Sequence, residues 1–320
     1  MDGVEQGLSR INSALGATRD GQPLSVNRGP APDLAPWVAR LYATNVTMPD
    51  DMQVACGLFA DTCIIRLLFS GNWHAETADG PGFYKRSALF FGPQTKRMPI
   101  SVRGSFATVG IALKPGACRM LEGPDLATTL DRIIPYEDIV GPSEDLLGLF
   151  DGVSDAGEWL DIIEECMRRL IMQRGAKEPD ALTQAFDRAT FADPNLSLTE
   201  FAAQHGCSTR KVERTIRRDF GMTPKAVLRR ARAMDMAASL RGVADENEAE
   251  ELALRYYDQS HLNRDFSQYF GMTPVQFVRS PQPLMTLTLE ARQARRLEEL
   301  ERIAPDDELP WRAGRLAVGS

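Results

Sequence analysis

Arg210, Lys211, Arg214, Arg217 and Arg218 lie within a span of nine residues. Among them Val212, Ile216 and Phe220 recur at i, i+4 and i+8, the spacing of one buried helical stripe. The helix they predict packs one face and turns its cations outward. Guanidinium groups pair bidentately with phosphate and with guanine edges, so the chemistry on offer is recognition of a polyanion rather than bond making. Bond-making groups are scarce. The three histidines, His74, His205 and His261, are scattered, whereas metal-dependent hydrolases and oxygenases gather two or three imidazoles on one ion. No HExxH, GxxxxGK(S/T) or GxGxxG motif occurs. No catalytic residue, metal or cofactor is expected. The five cysteines, Cys56, Cys63, Cys118, Cys166 and Cys207, are odd in number and form no CxxC pair. They read as buried apolar side chains, although Cys63, Cys118 and Cys207 each have an arginine within three residues, the setting of a reactive thiol.

Local signals place the cationic face. Ser197-Leu198-Thr199-Glu200 is a capping box ahead of Phe201-Ala202-Ala203, and His205-Gly206 makes a turn. A short helix, a glycine turn and a second helix form the helix-turn-helix arrangement, whose second helix enters the major groove of duplex DNA. The unit is repeated. Phe220-Gly221-Met222-Thr223-Pro224 returns as Phe270-Gly271-Met272-Thr273-Pro274, and Val212, Arg214, Ile216 and Phe220 align with Leu262, Arg264, Phe266 and Phe270. Glycine ends a helix in the left-handed conformation, threonine caps the next one and proline fits its first turn, so each copy reads as stop and restart. Between the copies, Pro224 to about Leu240 predicts a helix with Val227, Ala231, Met234 and Ala238 inward. At ~1.5 Å per residue it is a strut of roughly 25 Å, able to hold two readers about one DNA turn apart. Charge divides unequally between the units. Residues 208–241 carry ten Lys/Arg against three Asp/Glu, and residues 242–280 carry three against seven. The first unit should supply most of the phosphate attraction.

These residues resemble the AraC/XylS transcription regulators over about Asn195 to Ser280. The most specific match is Tyr256-Tyr257-Asp258-Gln259-Ser260-His261-Leu262-Asn263-Arg264-Asp265-Phe266, around the second reader. The resemblance implies base-facing positions at Arg210, Glu213, Arg214 and Arg217 in the first unit. In the second it implies Ser260, Asn263, Arg264 and Ser267, with His261 on the reader surface. Lys211 and Arg218 add cations to the interface. Arginine suits guanine and asparagine suits adenine. The partners implied are double-stranded DNA, a small-molecule effector, RNA polymerase and a second copy of the chain. Two departures stand out. Leu252-Ala253-Leu254-Arg255 runs straight into Tyr256, a turn about two residues short that would tilt the second reader or leave it a phosphate clamp. The segment from Pro281 to Ser320 has no family counterpart; Leu287 to Leu300 reads as a charged helix, broken at Pro305 and Pro310.

The rest of the chain must position these readers. Residues 24–140 have β texture, with apolar stretches Thr62–Phe69, Ser87–Phe91 and Phe106–Leu113 between turns at Gly71-Asn72, Gly80-Pro81-Gly82, Gly92-Pro93, Gly104 and Pro115-Gly116. Asp33 to Tyr42 is an expected short helix. By resemblance the β region is a cupin-like barrel that senses a ligand or dimerises, and Trp73-His74 is a candidate pocket lining. Glu158 to Arg174 predicts an amphipathic helix with Trp159, Ile163, Cys166 and Leu170 on one stripe, buried against the barrel or against a second subunit. The expected fold is α+β multidomain: a flexible arm (1–22), a β-barrel (23–141), a helical connector (142–190), tandem helix-turn-helix units (191–281) and a charged helical tail (282–320). The net charge of −7 argues against a uniformly basic coat, the longest apolar runs are too short to span a membrane, and the N-terminus lacks a secretory pattern. The location expected is cytoplasmic. A cupin-like enzyme with a subsidiary DNA-binding domain, and a protein-interaction module with unspecific DNA affinity, are the alternative functions.

Overall fold

The computed structural model describes residues 12–13, 25–140, 146–244 and 259–303. Nine strands form one antiparallel sheet: β1 (Asn12–Ser13), β2 (Ser25–Arg28), β3 (Val38–Thr47), β4 (Gln53–Leu58), β5 (Ile64–Thr77), β6 (Gly80–Tyr84), β7 (Ser87–Phe91), β8 (Met98–Leu113) and β9 (Ile133–Pro135). Two of the arm residues, Asn12 and Ser13, thus add to the sheet beside β3. The long β8 is its spine. Along one edge β8 pairs first with β4 (Leu58↔Met98 to Gln53↔Arg103) and then with β3 (Val46↔Phe106 to Val38↔Leu113), while β5 follows the other edge.

Gly71 and Gly104, expected as turns, are bends inside β5 and β8. Gly71 lies at φ 95° beside two register shifts, and Gly104 lies at φ 74° where β8 passes from β4 to β3. A glycine at positive φ inside a strand bends it and lets pairing resume, and a local turn signal looks the same in sequence. The helix expected from Asp33 to Tyr42 is a second correction. Pro32 to Trp37 is turn, and β3 starts at Val38. From Val38 the backbone is taken by long-range pairing with β8, starting at Val38↔Leu113, which the local helical period does not announce.

Both faces of the sheet are buried. Leu41, Ala43, Ile65, Leu67, Val109 and Ile111 point to one face, which is covered by a helix over Ala156–Arg174 through Trp159, Leu160, Ile163 and Met167. The chain's own sheet therefore takes the apolar stripe of that helix. Asp155 caps its start by accepting from the Glu158 N–H, and Gly175, at φ 55°, ends it. The opposite face gathers Val46, Leu58, Ile64, Trp73, Phe91, Ile100 and Phe106.

In chain order the helices are α1 (Ala117–Met120), α2 (Glu137–Val140), α3 (Ala156–Arg174), α4 (Ala181–Ala192), α5 (Leu198–Gln204), α6 (Thr209–Phe220), α7 (Pro224–Leu240), α8 (Gln259–Phe270), α9 (Pro274–Arg279) and α10 (Pro283–Ile303). The amino-terminal part is thus an antiparallel sheet domain and the carboxy-terminal part a helical one. The repeated pentapeptide behaves alike in both copies. Gly221 (φ 74°) and Gly271 (φ 68°) end helices, and Thr223 and Thr273 accept from the N–H three residues on. The charged tail becomes α10, which packs on β3, β4, α4 and α7. No helix among the described residues is long and apolar enough to cross a membrane. The rest of the expected arm, the Gly141-Pro142 boundary, the shortened turn at Leu252–Tyr257, and Pro305 and Pro310 lie outside the described residues.

Candidate nucleic-acid interface

Ser197 and Ser208 cap α5 and α6, each accepting a backbone N–H from three residues on. Phe201, Val212, Ile216 and Phe220 then close a core with Leu182, Phe186, Val227 and Leu228. That core fixes α6 and leaves Arg210, Lys211, Glu213, Arg214 and Arg217 exposed. The four cations among them form no ion pair among the described residues. Arg218 differs. It grips Asp219 through two hydrogen bonds of 2.6 Å and lies 3.6 Å from Asp180, and the hydrogen bonds to Asp219 hold its guanidinium firmly protonated. Asp219, 1% exposed, also accepts from Thr183. Arg218 is thus a brace between α6 and α4. His205 follows α5 and lies over the Phe201 ring with its Nδ1 2.9 Å from the Phe201 carbonyl, a turn residue as expected.

The basic character of residues 208–241 is only partly available to a polyanion. Arg229 binds Asp265 at 2.5 Å and Gln268 at 2.8 Å. Arg230, 1% exposed, donates to the backbone carbonyls of Asp61 and Gln94. Arg232 donates to Pro194 O, and Arg241 to Ser280 O. These arginines hold the reading units to each other and to the sheet, and nothing in their local sequence separates them from the exposed ones.

In the second unit Phe266 and Phe270 are buried and Leu262 half-buried, while Asn263 and Arg264 are exposed and Ser267 is half-buried. Ser260 and His261 fall in the first turn of α8, their side chains outside the described ones. The base of α8 docks on the sheet domain. Phe59 packs on Tyr269 and Phe270, with ring centroids 5.8 and 5.3 Å apart, and the Arg97 N–H donates to the Tyr269 carbonyl at 2.6 Å. Sheet and second reader therefore share one core, which also takes in Phe277, Met285 and Leu289. Sequence reasoning missed Phe59, since a lone aromatic at a strand end carries no mark of its partner.

Under α10 the inner face of the sheet encloses a cavity of about 90 Å³. Tyr42, Arg66, Trp73, Phe106 and Thr108 line its sheet side, Leu58, Ala60 and Asp61 one wall, and Met234 of α7 with Leu284, Leu287 and Arg292 the roof. Trp73 is in the lining, whereas the next residue, His74, turns outward to Glu76 at 3.3 Å and to the exposed ring of Phe83, as strand alternation requires. Arg66 lies over the Tyr42 and Phe91 rings and donates from Nε to the Tyr42 hydroxyl at 2.7 Å. It has no carboxylate partner among the described residues. Thr108 Oγ1 is buried with no hydrogen-bond partner among the described residues.

Residues 201–280 match a family described as a helix-turn-helix domain. Residues 27–135 match a second family, described as a domain of unknown function (DUF6597). No curated protein matches the chain. Among solved structures, ToxT from Vibrio cholerae is similar at 8% identity and a TM-score of 0.42, over 80% of this chain and 98% of that one. ToxT with an unsaturated fatty acid bound matches at 9% identity and 0.41, over 79% and 94%. The AraC-like transcriptional activator CuxR matches at 12% identity and 0.27, over 61% and 80%. The five cysteines are unpaired, and Cys56, Cys63 and Cys118 are buried. A hydrogen bond with Cys63, together with burial, pushes the Cys118 thiol far above its usual range and so disfavours the thiolate.

Proposed function

We propose that this chain is a transcription regulator that reads a bipartite DNA site with α6 and α8, and that a small ligand in the cavity under α10 changes how the second reader is held. The row of exposed, unneutralised cations on a capped α6 carries the first half of this reading. Arg210, Glu213, Arg214 and Arg217 would face bases in one half-site; Ser260, Asn263, Arg264 and Ser267 would do so in the other. Lys211 and His261 extend the interface. For the ligand, the carrying feature is the segment Leu58–Asp61. Leu58, Ala60 and Asp61 wall the cavity, while Phe59 between them points the other way, into the base of α8. A ligand that binds one position of this segment better than another shifts the equilibrium of α8 by that difference in affinity.

The cavity also suggests the ligand's chemistry. A guanidinium without a carboxylate and an unpartnered hydroxyl favour a small molecule with an acceptor group, best a carboxylate, on an apolar body that meets Trp73, Phe106 and Leu287. The space is smaller than the ~150 Å³ that holds benzene in an engineered protein cavity, so anything larger must lift α10. A second copy of the chain, if recruited on DNA, meets a surface other than the buried stripe of α3.

Selection of bound sequences from random DNA at fixed, near-physiological salt tests the reading with wild type, Arg214→Ala and Arg264→Ala. Two half-elements about one helical turn (~34 Å) apart, each lost in its own variant, are expected. A single element indifferent to Arg264→Ala would reduce the second unit to a clamp, and no enriched element would overturn the proposal.

A further inference from the structure

The sheet domain reaches the edge of the first reader. Segment 116–127 lies against α6: the Gly116 N–H donates to the Asp219 carbonyl at 3.3 Å, and Gly221 is so close to Leu126 that an added Cβ would sit 2.8 Å from its carbonyl oxygen. Backbone meets backbone here, so the two elements keep a fixed distance. Beside this contact a cleft opens, lined by Arg119 of α1, by Arg214, Arg217 and Arg218 of α6, and by Asp125 and Asp219. Arg218 and Asp219 neutralise each other. Asp125 accepts the Ala127 N–H as the cap of a short helical turn. Arg119, Arg214 and Arg217 form no ion pair among the described residues, and Arg119 is exposed. Three cations thus share a cleft with one remaining carboxylate.

We propose that this cleft holds a phosphodiester of the DNA backbone flanking the first half-site, with Arg119 supplying a contact from the sheet domain. The proposal rests on α6 entering the major groove. A helix in that groove has a sugar–phosphate strand running along each side, and the cleft lies along one side of α6. Arg119 would then position the first reader without touching a base, and it would make the sheet domain part of the DNA-binding surface.

Affinity of the full chain for a duplex bearing its selected site, measured from 50 to 200 mM salt, decides the matter. Arg119→Ala is expected to weaken binding several-fold and to lower the slope of log K against log salt by about 1, leaving the selected sequence unchanged. Arg119→Lys should restore the slope, and Asp125→Asn, which keeps a capping side chain, should tighten binding. Unchanged affinity and slope in Arg119→Ala would overturn the proposal. Tighter binding by that variant would also overturn it, and would show the segment obstructing the groove. If wild type and Arg214→Ala bind DNA equally and without sequence preference, the reading of α6 itself has failed, a result separate from either outcome at Arg119.

Discussion

Arg217 and Arg218 stand side by side in sequence and do different work. Arg217 is exposed and has no ion pair among the described residues, while Arg218 closes on a buried Asp219 and reaches Asp180 at the start of α4. Arg217→Ala should therefore weaken DNA binding and leave the denaturant midpoint unmoved. Arg218→Ala should cost about 1–3 kcal/mol of folding stability, because Asp219 keeps only its bond from Thr183. Urea unfolding beside DNA titration separates the two, and equal effects of both variants on DNA would refute the distinction. The five-cation face was legible from spacing alone, and four of its members lie where that spacing puts them. Arg218 escaped because it points in nearly the same direction as Lys211, seven residues earlier, and its distinguishing partner belongs to another helix.

At the scale of elements, the same five letters meet two environments. Phe-Gly-Met-Thr-Pro ends α6 at Gly221 and α8 at Gly271, both at positive φ. Around Gly271 no described residue lies within 4 Å of an added Cβ, whereas at Gly221 the Leu126 carbonyl blocks it. Gly271→Ala should cost about 1 kcal/mol, the strain of a left-handed alanine. Gly221→Ala should cost clearly more, since it adds a backbone collision that must push segment 116–127 away from the reader. Thermal unfolding of the two variants compares them directly, and equal losses would mean that the segment yields freely. Stop-and-restart chemistry is local, which is why it could be read from sequence in both copies. Gly71 and Gly104 carried the same kind of local signal and became bulges, because the long pairing partners that keep β5 and β8 extended lie far away in sequence.

At the scale of the molecule, the tail that no motif could place is bound by buried charge. Arg292 of α10 pairs with Asp235 of α7 and lies 3.2 Å from Asp61 of the sheet domain; Arg295 pairs with Asp187 of α4. Arg40 and Lys114 of the sheet domain take Glu298 and Glu299. The partners of Arg292 and Arg295 are 57, 108 and 231 residues away, so the charged helix that its sequence left unplaced is a clamp across three parts of the fold. Arg292→Ala leaves two carboxylates without their shared cation and should cost about 3–5 kcal/mol. Arg292→Met, which fills the space, should not recover it while Asp61 and Asp235 remain.

Acid should loosen the same clamp, and the sign follows from Asp61. Burial pushes its carboxyl up, but Arg292, Arg295 and Arg230 together outweigh burial and hold it below its ordinary 3.8. A carboxyl with a depressed folded-state pKa gives stability that is complete above its unfolded value and is lost as pH falls through the folded one. Asp187 runs the other way, because burial there outweighs Arg295 and Lys114 and raises it. The two titrations partly cancel in wild type, so the total stability is a poor probe and a difference is the better one. Between wild type and Asp61→Asn, the gap in urea midpoint should be full above about pH 4 and should close as the pH drops below it. A gap that stays constant across that window would mean that the carboxylate is not what α10 is holding.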